Sequence, residues 1–436
     1  MCATPFQNLV QVPGPNPILR RGPPGAWDEC LIEACDVLKD GDTYYLYYHG
    51  RPADAAQWPR RGYRLGVATA PHPLGPWTRH DGNPILDLGP AEAWDGTHVA
   101  CAFVLKEGVS RYYLWYSGYR ETWGVGLASA PSPLGPWTKH ERNPLLPHFG
   151  YVGSVIRAGG GYRLYTEHPI GASGPDYGPL SLATAPAPEG PWTPHPESPV
   201  LRPGDWGAWD DGGYSESEVV CRDGLYHVFY GAAKLHPTRI RSQESIGYAW
   251  SEDGVHFTRC AHNPVAPRER SPNTAAMAEV HTLIEPPLIY CYHTLRYITA
   301  ERDNVEDLGV QVLAFQRPFC VRMPVLCLAE LAPGAVTPLT ASPPISLEHS
   351  RTAALTVECR RSAGAAGLRL EVRASADGVD FDTDAFATMD VAGAGDGVIR
   401  QTLALPASPA FLKVTARNLD VRQALHDIRV TAVLKD

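Results

Sequence analysis

No run of 18 consecutive apolar residues occurs among the 436, so no membrane-spanning helix is encoded. The start, Met1-Cys2-Ala3-Thr4-Pro5-Phe6-Gln7, lacks the basic, apolar and small-residue order of a secretory signal. A soluble, cytoplasmic protein with no membrane partner is therefore expected. Charge is scarce: Asp, Glu, Lys and Arg make up 19% of the chain, the formal net charge is −9, and no basic stripe appears. That excludes the electrostatic footprint of a nucleic-acid binder. Ten cysteines are present without a C-x-x-C spacing, which removes the common zinc frameworks and leaves no metal ligand set. Cys101, Cys221 and Cys291 sit in apolar stretches and read as reduced core thiols. No segment repeats apolar residues with a 3.6-residue period, so helices are not expected.

What the chain has in abundance is turn residues and a repeated phrase. With 41 Gly, 42 Pro and 44% hydrophobic residues, it reads as a folded protein of short strands joined by many tight turns. Leu74-Gly75-Pro76-Trp77-Thr78 leads to Asn83-Pro84-Ile85-Leu86, and Leu134-Gly135-Pro136-Trp137-Thr138 leads to Asn143-Pro144. Two further copies run from Trp192 to Ser198-Pro199 and, more faintly, from Phe257 to Asn263-Pro264. The aromatic positions step by roughly 55 to 65 residues. Each copy follows an aromatic strand such as Tyr44-Tyr45-Leu46-Tyr47-Tyr48 and a small-residue strand such as Leu65 to Ala70. A unit of three or four short strands that cannot bury its own faces, repeated radially, is a propeller blade.

Four such units are complete, and a fifth runs from Glu279 through Leu308 without its Asn-Pro tail. The missing tail stands at the other end, as Val10 to Asn16-Pro17-Ile18-Leu19, so the N-terminus is expected to supply the outer strand of blade five and close the ring. The fold class is therefore all-β: a five-bladed propeller over residues 1–320, followed by a small β-sandwich over 325–436. Residues 325–436 contain no Trp, alternate as in Leu368 to Ala374, and turn at Ala376-Asp377-Gly378.

Chemistry is sought at the channel mouth, where inner strands begin. Ala-Trp-Asp recurs there as Trp27-Asp28, Trp94-Asp95 and Trp209-Asp210. It serves either as a structural turn with Trp packed between blades or as a sugar-stacking surface. Acidic residues entering inner strands are Glu33 and Asp36 in blade one, Glu216 and Glu218 in blade four, and Glu279, followed by His281, in blade five. Blade two offers Asp95 and His98, and blade three offers none. Strand residues two apart share a face, so Glu216 with Glu218, and Glu279 with His281, are expected to point together. Carboxylates converging on one mouth would push their pKa values apart, leaving one acid and one base; each alone is equally read as a salt-bridged or solvent-facing strand end. Arg51, Arg120, Glu167 and His168 follow second strands and are candidates for shaping sugar subsites.

Asp40 to Tyr48, Gly224 to Tyr230, the Trp-Thr segments and the Asn-Pro tails resemble the five-bladed propeller glycoside hydrolases of families 43, 32, 117 and 130. The trailing sandwich is similar to the family 32 arrangement. The resemblance, over about residues 10–320, implies a blade-one base or nucleophile, a second Asp that orients substrate and tunes pKa, and a later Glu as acid. Carried over, these become Glu33 or Asp36, then Asp95, then Glu216, with Glu279 as a further catalytic candidate. The family's Asp-Pro is replaced by Ala34-Cys35, and Asp95 stands earlier than the pattern places the second Asp. The implied activity is hydrolysis of a glycosidic bond in a carbohydrate, with no cofactor required. The fold allows a structural channel cation such as calcium, though no residue pattern signals one. A phosphate-dependent phosphorylase using Arg51, Arg120 and Arg296, and a non-catalytic carbohydrate-binding propeller, are the alternatives; the oligomeric state is left open.

Overall fold

Five antiparallel sheets stand in a ring, each beginning at an inner strand and ending at a short outer one. The computed structural model describes residues 6, 8–53, 58, 60–167, 178–235, 242–268, 275–297, 305–316, 319–362, 364–392 and 397–436. Blade one consists of Leu31–Asp40, Thr43–Arg51, Arg64–Ala70 and Thr78–Arg79. Blade two has His98–Lys106, Tyr112–Tyr119, Trp123–Ala130 and Thr138–Lys139, with Leu146–Pro147 added at its edge. Blade three has Val152–Ala158, Gly161–Thr166, Ser181–Ala185 and Thr193–Pro194, and blade four Glu218–Arg222, Leu225–Lys234, Ser242–Ser251 and Thr258–Arg259. In blade five, Ala276–Glu285, Leu288–Tyr297 and Val305–Ala314 are joined by Val10–Pro13, which pairs antiparallel with the third strand. The N-terminal strand closes the ring, as the displaced Asn-Pro tail predicts. Inner strands touch in the order one to five and back to one.

The outer strands are shorter than the Trp-to-Leu segments lead one to expect. In blades one to four their ladders hold only two residues each, because the Asn (Ser198 in blade three) of each tail takes over the pairing. The Val67 amide donates to Asn83 Oδ1 and Asn83 Nδ2 donates to the Val67 carbonyl, both at 2.9 Å. Asn143 does the same with Leu127, Asn263 with Tyr248, and Asn16 with Val310 across the closure. A side chain acting as a strand edge lets the chain turn away while no backbone group goes unpaired.

Inner strands have one edge facing the next blade, and side-chain acceptors stitch that seam. The Val104 amide donates to Asp36 (2.9 Å), Val152 to Ser117 (2.9 Å), Val219 to Ser154 (3.0 Å), Thr282 to Glu218 (2.6 Å) and Ala34 to Thr294 (3.0 Å). Leaving one such buried donor unsatisfied would cost about 1–3 kcal/mol. Bulges break the inner strands at Ala34/Asp36, Ala100/Phe103, Val152/Ser154 and Ala278/His281. They re-aim side chains where the blades converge.

From Cys320 onward, two four-stranded sheets face one another. Thr352–Arg361 and Leu368–Ser375 alternate buried and exposed positions, as strands of a sandwich do. One apolar cluster runs from Ile32, Tyr48, Tyr292 and Val310 of blades one and five to Val321, Leu355 and Val414 of the sandwich.

Candidate active site

Glu33, Glu216 and Glu279 meet at the convergence of blades one, four and five, all three buried. Their carboxyl groups answer to different neighbours. His49, on the second strand of blade one, places Nε2 2.5 Å from Glu33 Oε2, and the Tyr63 hydroxyl donates to Glu33 Oε1 at 3.4 Å. His49 Nδ1 lies 3.3 Å from the Cys101 amide and 3.2 Å from the Cys35 thiol. Burial acts to raise the pKa of Glu33, but His49, a hydrogen bond from Glu306 and the Arg296 charge outweigh it and hold the group below the usual carboxylate range.

Glu216 lies just ahead of its inner strand, and the Cys101 thiol from blade two donates to its Oε1 at 2.8 Å. Burial, with the Glu33 charge adding to it, raises the Glu216 pKa against that hydrogen bond. Burial raises Glu279 to about 8, opposed by Arg296. Arg296 is saturated: its nitrogens reach Glu306 at 2.6 Å, Glu244 at 2.9 Å and Glu279 at 3.1 Å. One carboxylate with a lowered pKa thus faces carboxyl groups from other blades whose pKa values are raised, the separation that acid–base chemistry needs.

An aromatic wall rises from this cluster over blades one to three. Tyr63 stands edge-on to His49 (4.9 Å between centroids) and 5.1 Å from His98. His98 stacks on Trp123 at 6.2 Å, and Trp123 meets Tyr119 at 5.0 Å and Tyr151 at 4.6 Å. All five wall residues are half-buried. Half-exposed ring faces beside buried carboxylates are the surfaces on which sugar rings stack. Burial, with the Arg51 and His49 charges, lowers His98 to about 4, so its ring is neutral at neutral pH.

Other expected residues have different places. Asp95 is not in the cluster: its carboxylate accepts from Tyr116 (3.0 Å) and Lys139 (2.6 Å). Asp28 repeats this with Tyr48 and Arg79, and Asp210 is held by Arg259. The rings of Trp27, Trp94 and Trp209 lie against Tyr48, Tyr116 and Tyr230 at 5.5, 5.6 and 5.9 Å. The repeated Ala-Trp-Asp is therefore scaffold, and the position facing the acid from blade two holds the thiol of Cys101. Asp36 and Glu218 are seam acceptors. Glu216 and Glu218 serve different neighbours, the Cys101 thiol and the Thr282 amide, so they do not act as one face. Glu279 and His281 are separated by a bulge with Glu279 at φ 47°, which breaks the two-residue alternation. His281 is buried beside the cluster, both ring nitrogens without a hydrogen-bond partner among the described residues. Arg120 pairs with Glu92 and Glu121 on the surface. Glu167 is buried and accepts from the Gly178 amide (3.3 Å), while His168 lies outside the described residues.

Residue reasoning missed His49, Cys101, Tyr63, Trp123, Tyr151, Glu244 and Glu306. Glu244 and Glu306 carried a weak signal, an acidic residue near the start of a third strand. Cys101 carried none, since a thiol in an apolar strand looks like core.

No family model matches the chain. Two uncharacterized proteins of Mycobacterium tuberculosis, from strains CDC 1551 and H37Rv, are each 26% identical over 175 residues. That match takes in 36% of this chain and 54% of each of those proteins, so the chain spans about half the length of the curated relatives it matches. Among solved structures, a glycosyl hydrolase from Bacteroides ovatus superposes with TM-score 0.52 at 16% identity, covering 71% of this chain and 95% of that one. BT0996, solved as a complex with RGII, gives TM-score 0.52 at 16% identity, covering 69% of this chain and 91% of that one. Over about 70% of its length, then, the chain has the fold of the five-bladed propeller glycoside hydrolases.

Proposed function

We propose that the protein hydrolyses a glycosidic bond, with Glu216 as general acid and Glu33 as base or nucleophile. The observation that carries this reading is the pairing of two buried carboxyl groups from separate blades whose proton affinities are driven apart. His49 holds the Glu33 pKa down, while burial beside the Glu33 charge pushes that of Glu216 up. In this reading Glu216 gives its proton to the leaving oxygen as Glu33 activates water or attacks the anomeric carbon. The anomeric configuration of the first-formed product, read by NMR, decides between those two courses.

Hydrolysis is favoured over phosphorolysis by the state of the cations. Arg296 is fully engaged by three carboxylates and Arg120 is tied to Glu92 and Glu121. A phosphate pocket would need them free. Turnover of aryl glycosides (arabinofuranoside, xyloside, galactoside, fucoside), with and without phosphate, tests the reading. Glu33→Gln should lose about 10²- to 10⁴-fold in kcat on every substrate. Glu216→Gln should lose as much on poor leaving groups yet stay active on dinitrophenyl glycosides, which depart without a proton. Equal losses on both leaving-group classes would remove Glu216 from the acid role.

A further inference from the structure

Arg51 stands at the mouth without a carboxylate partner among the described residues. It ends the second strand of blade one, and its guanidinium lies 5.9 Å from the Tyr63 ring centroid. Its Nε is buried and has no hydrogen-bond partner among the described residues, and none of their carboxylates pairs with it. Arg296 is held by three Glu and Arg64 by Asp87, while Arg60 donates to the Gly89 and Gly96 carbonyls. Holding a guanidinium half out of water without an anion is costly, and chains seldom keep such a group without a use for it.

What surrounds Arg51 narrows that use. Tyr63 connects it to Glu33 through the 3.4 Å hydrogen bond, and His98 leads from Tyr63 to the wall of Tyr119, Trp123 and Tyr151. A ligand that lays a sugar face on this wall brings its substituents toward the guanidinium fork. Carboxylate and phosphate oxygens match that fork in two parallel bonds, which a hydroxyl cannot do.

We propose that Arg51 is an oxyanion subsite and that the carbohydrate taken at this mouth carries an acidic group, a uronate carboxylate, seated on it. The inference rests on the reading of the mouth as a carbohydrate site and names the class of carbohydrate. The anion belongs to the substrate: a single unpaired guanidinium suits one carboxylate on an otherwise neutral, stacked sugar. Inorganic phosphate is the other source of such an oxyanion.

The test measures binding to the full-length protein by calorimetry, using uronate-containing disaccharides, the same disaccharides with the carboxyl reduced to an alcohol, and inorganic phosphate. The acidic sugars should bind about 10- to 100-fold more tightly than their reduced counterparts. That preference should vanish in Arg51→Gln, survive in part in Arg51→Lys and shrink as salt rises. Unchanged melting curves for both variants establish that the fold is intact. Equal affinity for acidic and reduced sugars, binding of neither, or a preference that survives Arg51→Gln overturns the proposal. So does phosphate binding through Arg51 with release of a sugar 1-phosphate. Arg51-dependent binding of the acidic sugar without any cleavage would instead sink the hydrolase reading and leave the anion subsite standing.

Discussion

Cys101 holds φ at 47°, a left-handed backbone conformation that residues with a Cβ rarely adopt, inside the bulge of an inner strand. That conformation sends its amide toward His49 and its thiol toward Glu216, so one residue touches both halves of the carboxylate pair. The thiol is a donor to the ionised form of Glu216 and therefore works against the rise that burial imposes. Removing it in Cys101→Ala takes that support from the charged form, and the Glu216 pKa rises further. The alkaline limb of the activity profile, which follows loss of the Glu216 proton, should move to higher pH, while Cys101→Ser keeps a donor and stays close to wild type. An alkaline limb that moves downward in Cys101→Ala would show that the thiol does not act on the acid. At this scale the sequence was partly legible. Glu33 and Glu216 stood out because carboxylates rarely enter apolar strands unpaired. The role of Cys101 depends on a bulge, which alternation of residue types does not announce.

Strand seams explain why Asp36, a catalytic candidate, and Glu218, a substrate-binding one, are structural. Asp36 follows the blade-one bulge and accepts the Val104 amide; burial pushes its pKa from 3.8 up to about 7 against the hydrogen bonds of Val104 and Val37. Between roughly pH 4 and pH 7 the folded chain keeps a proton on Asp36 that the unfolded chain has released. Stability therefore falls as pH rises through this window, by at most about 1.4 kcal/mol per pH unit from this group, and levels off above it. Asp36→Asn keeps an oxygen for the Val104 amide but has no proton to lose. Urea midpoints for that variant should fall less steeply with pH than those of wild type, and parallel lines would show that Asp36 ionises as freely folded as unfolded. The same scale shows why Ala-Trp-Asp repeats. Trp94 lies where a Cβ on Gly126 would come within 2.7 Å of its ring, and Gly66 and Gly247 make the same space for Trp27 and Trp209. A motif required by every blade that carries it is legible from residue pattern, but the pattern alone could not choose between scaffold and sugar platform. The hydrogen bonds of Asp28, Asp95 and Asp210 to flanking Tyr, Arg and Lys decide it.

Closure by the N-terminus makes the whole ring depend on a short segment far from its partner in sequence. Val12 is fully buried in the cluster that joins blades one and five to the sandwich, and Asn16 bonds both the amide and the carbonyl of Val310. The fold was legible at this scale because a blade lacking its Asn-Pro tail and a tail lacking its blade lie at opposite ends of the propeller. The packing of the sandwich against blades one and five was not legible, since it is written in buried faces such as Val321 and Leu355 that carry no motif. Deleting residues 1–19 removes the outer strand of blade five and exposes the edge of Val305–Ala314, whose residues from Glu306 onward are buried in the intact protein. An exposed, apolar strand edge pairs with other chains. The truncated protein should elute as larger soluble species than the full-length protein or aggregate, with a lower melting temperature and loss of the proposed glycosidase activity, because blade five also holds Glu279 and Arg296 beside Glu33. Adding the 1–19 segment in trans as a synthetic peptide should return part of the protein to the full-length elution position by refilling the edge. A truncated chain that elutes as the full-length protein does, with unchanged melting, would mean that the ring holds without its closing strand and that the seam bonds between inner strands carry closure by themselves.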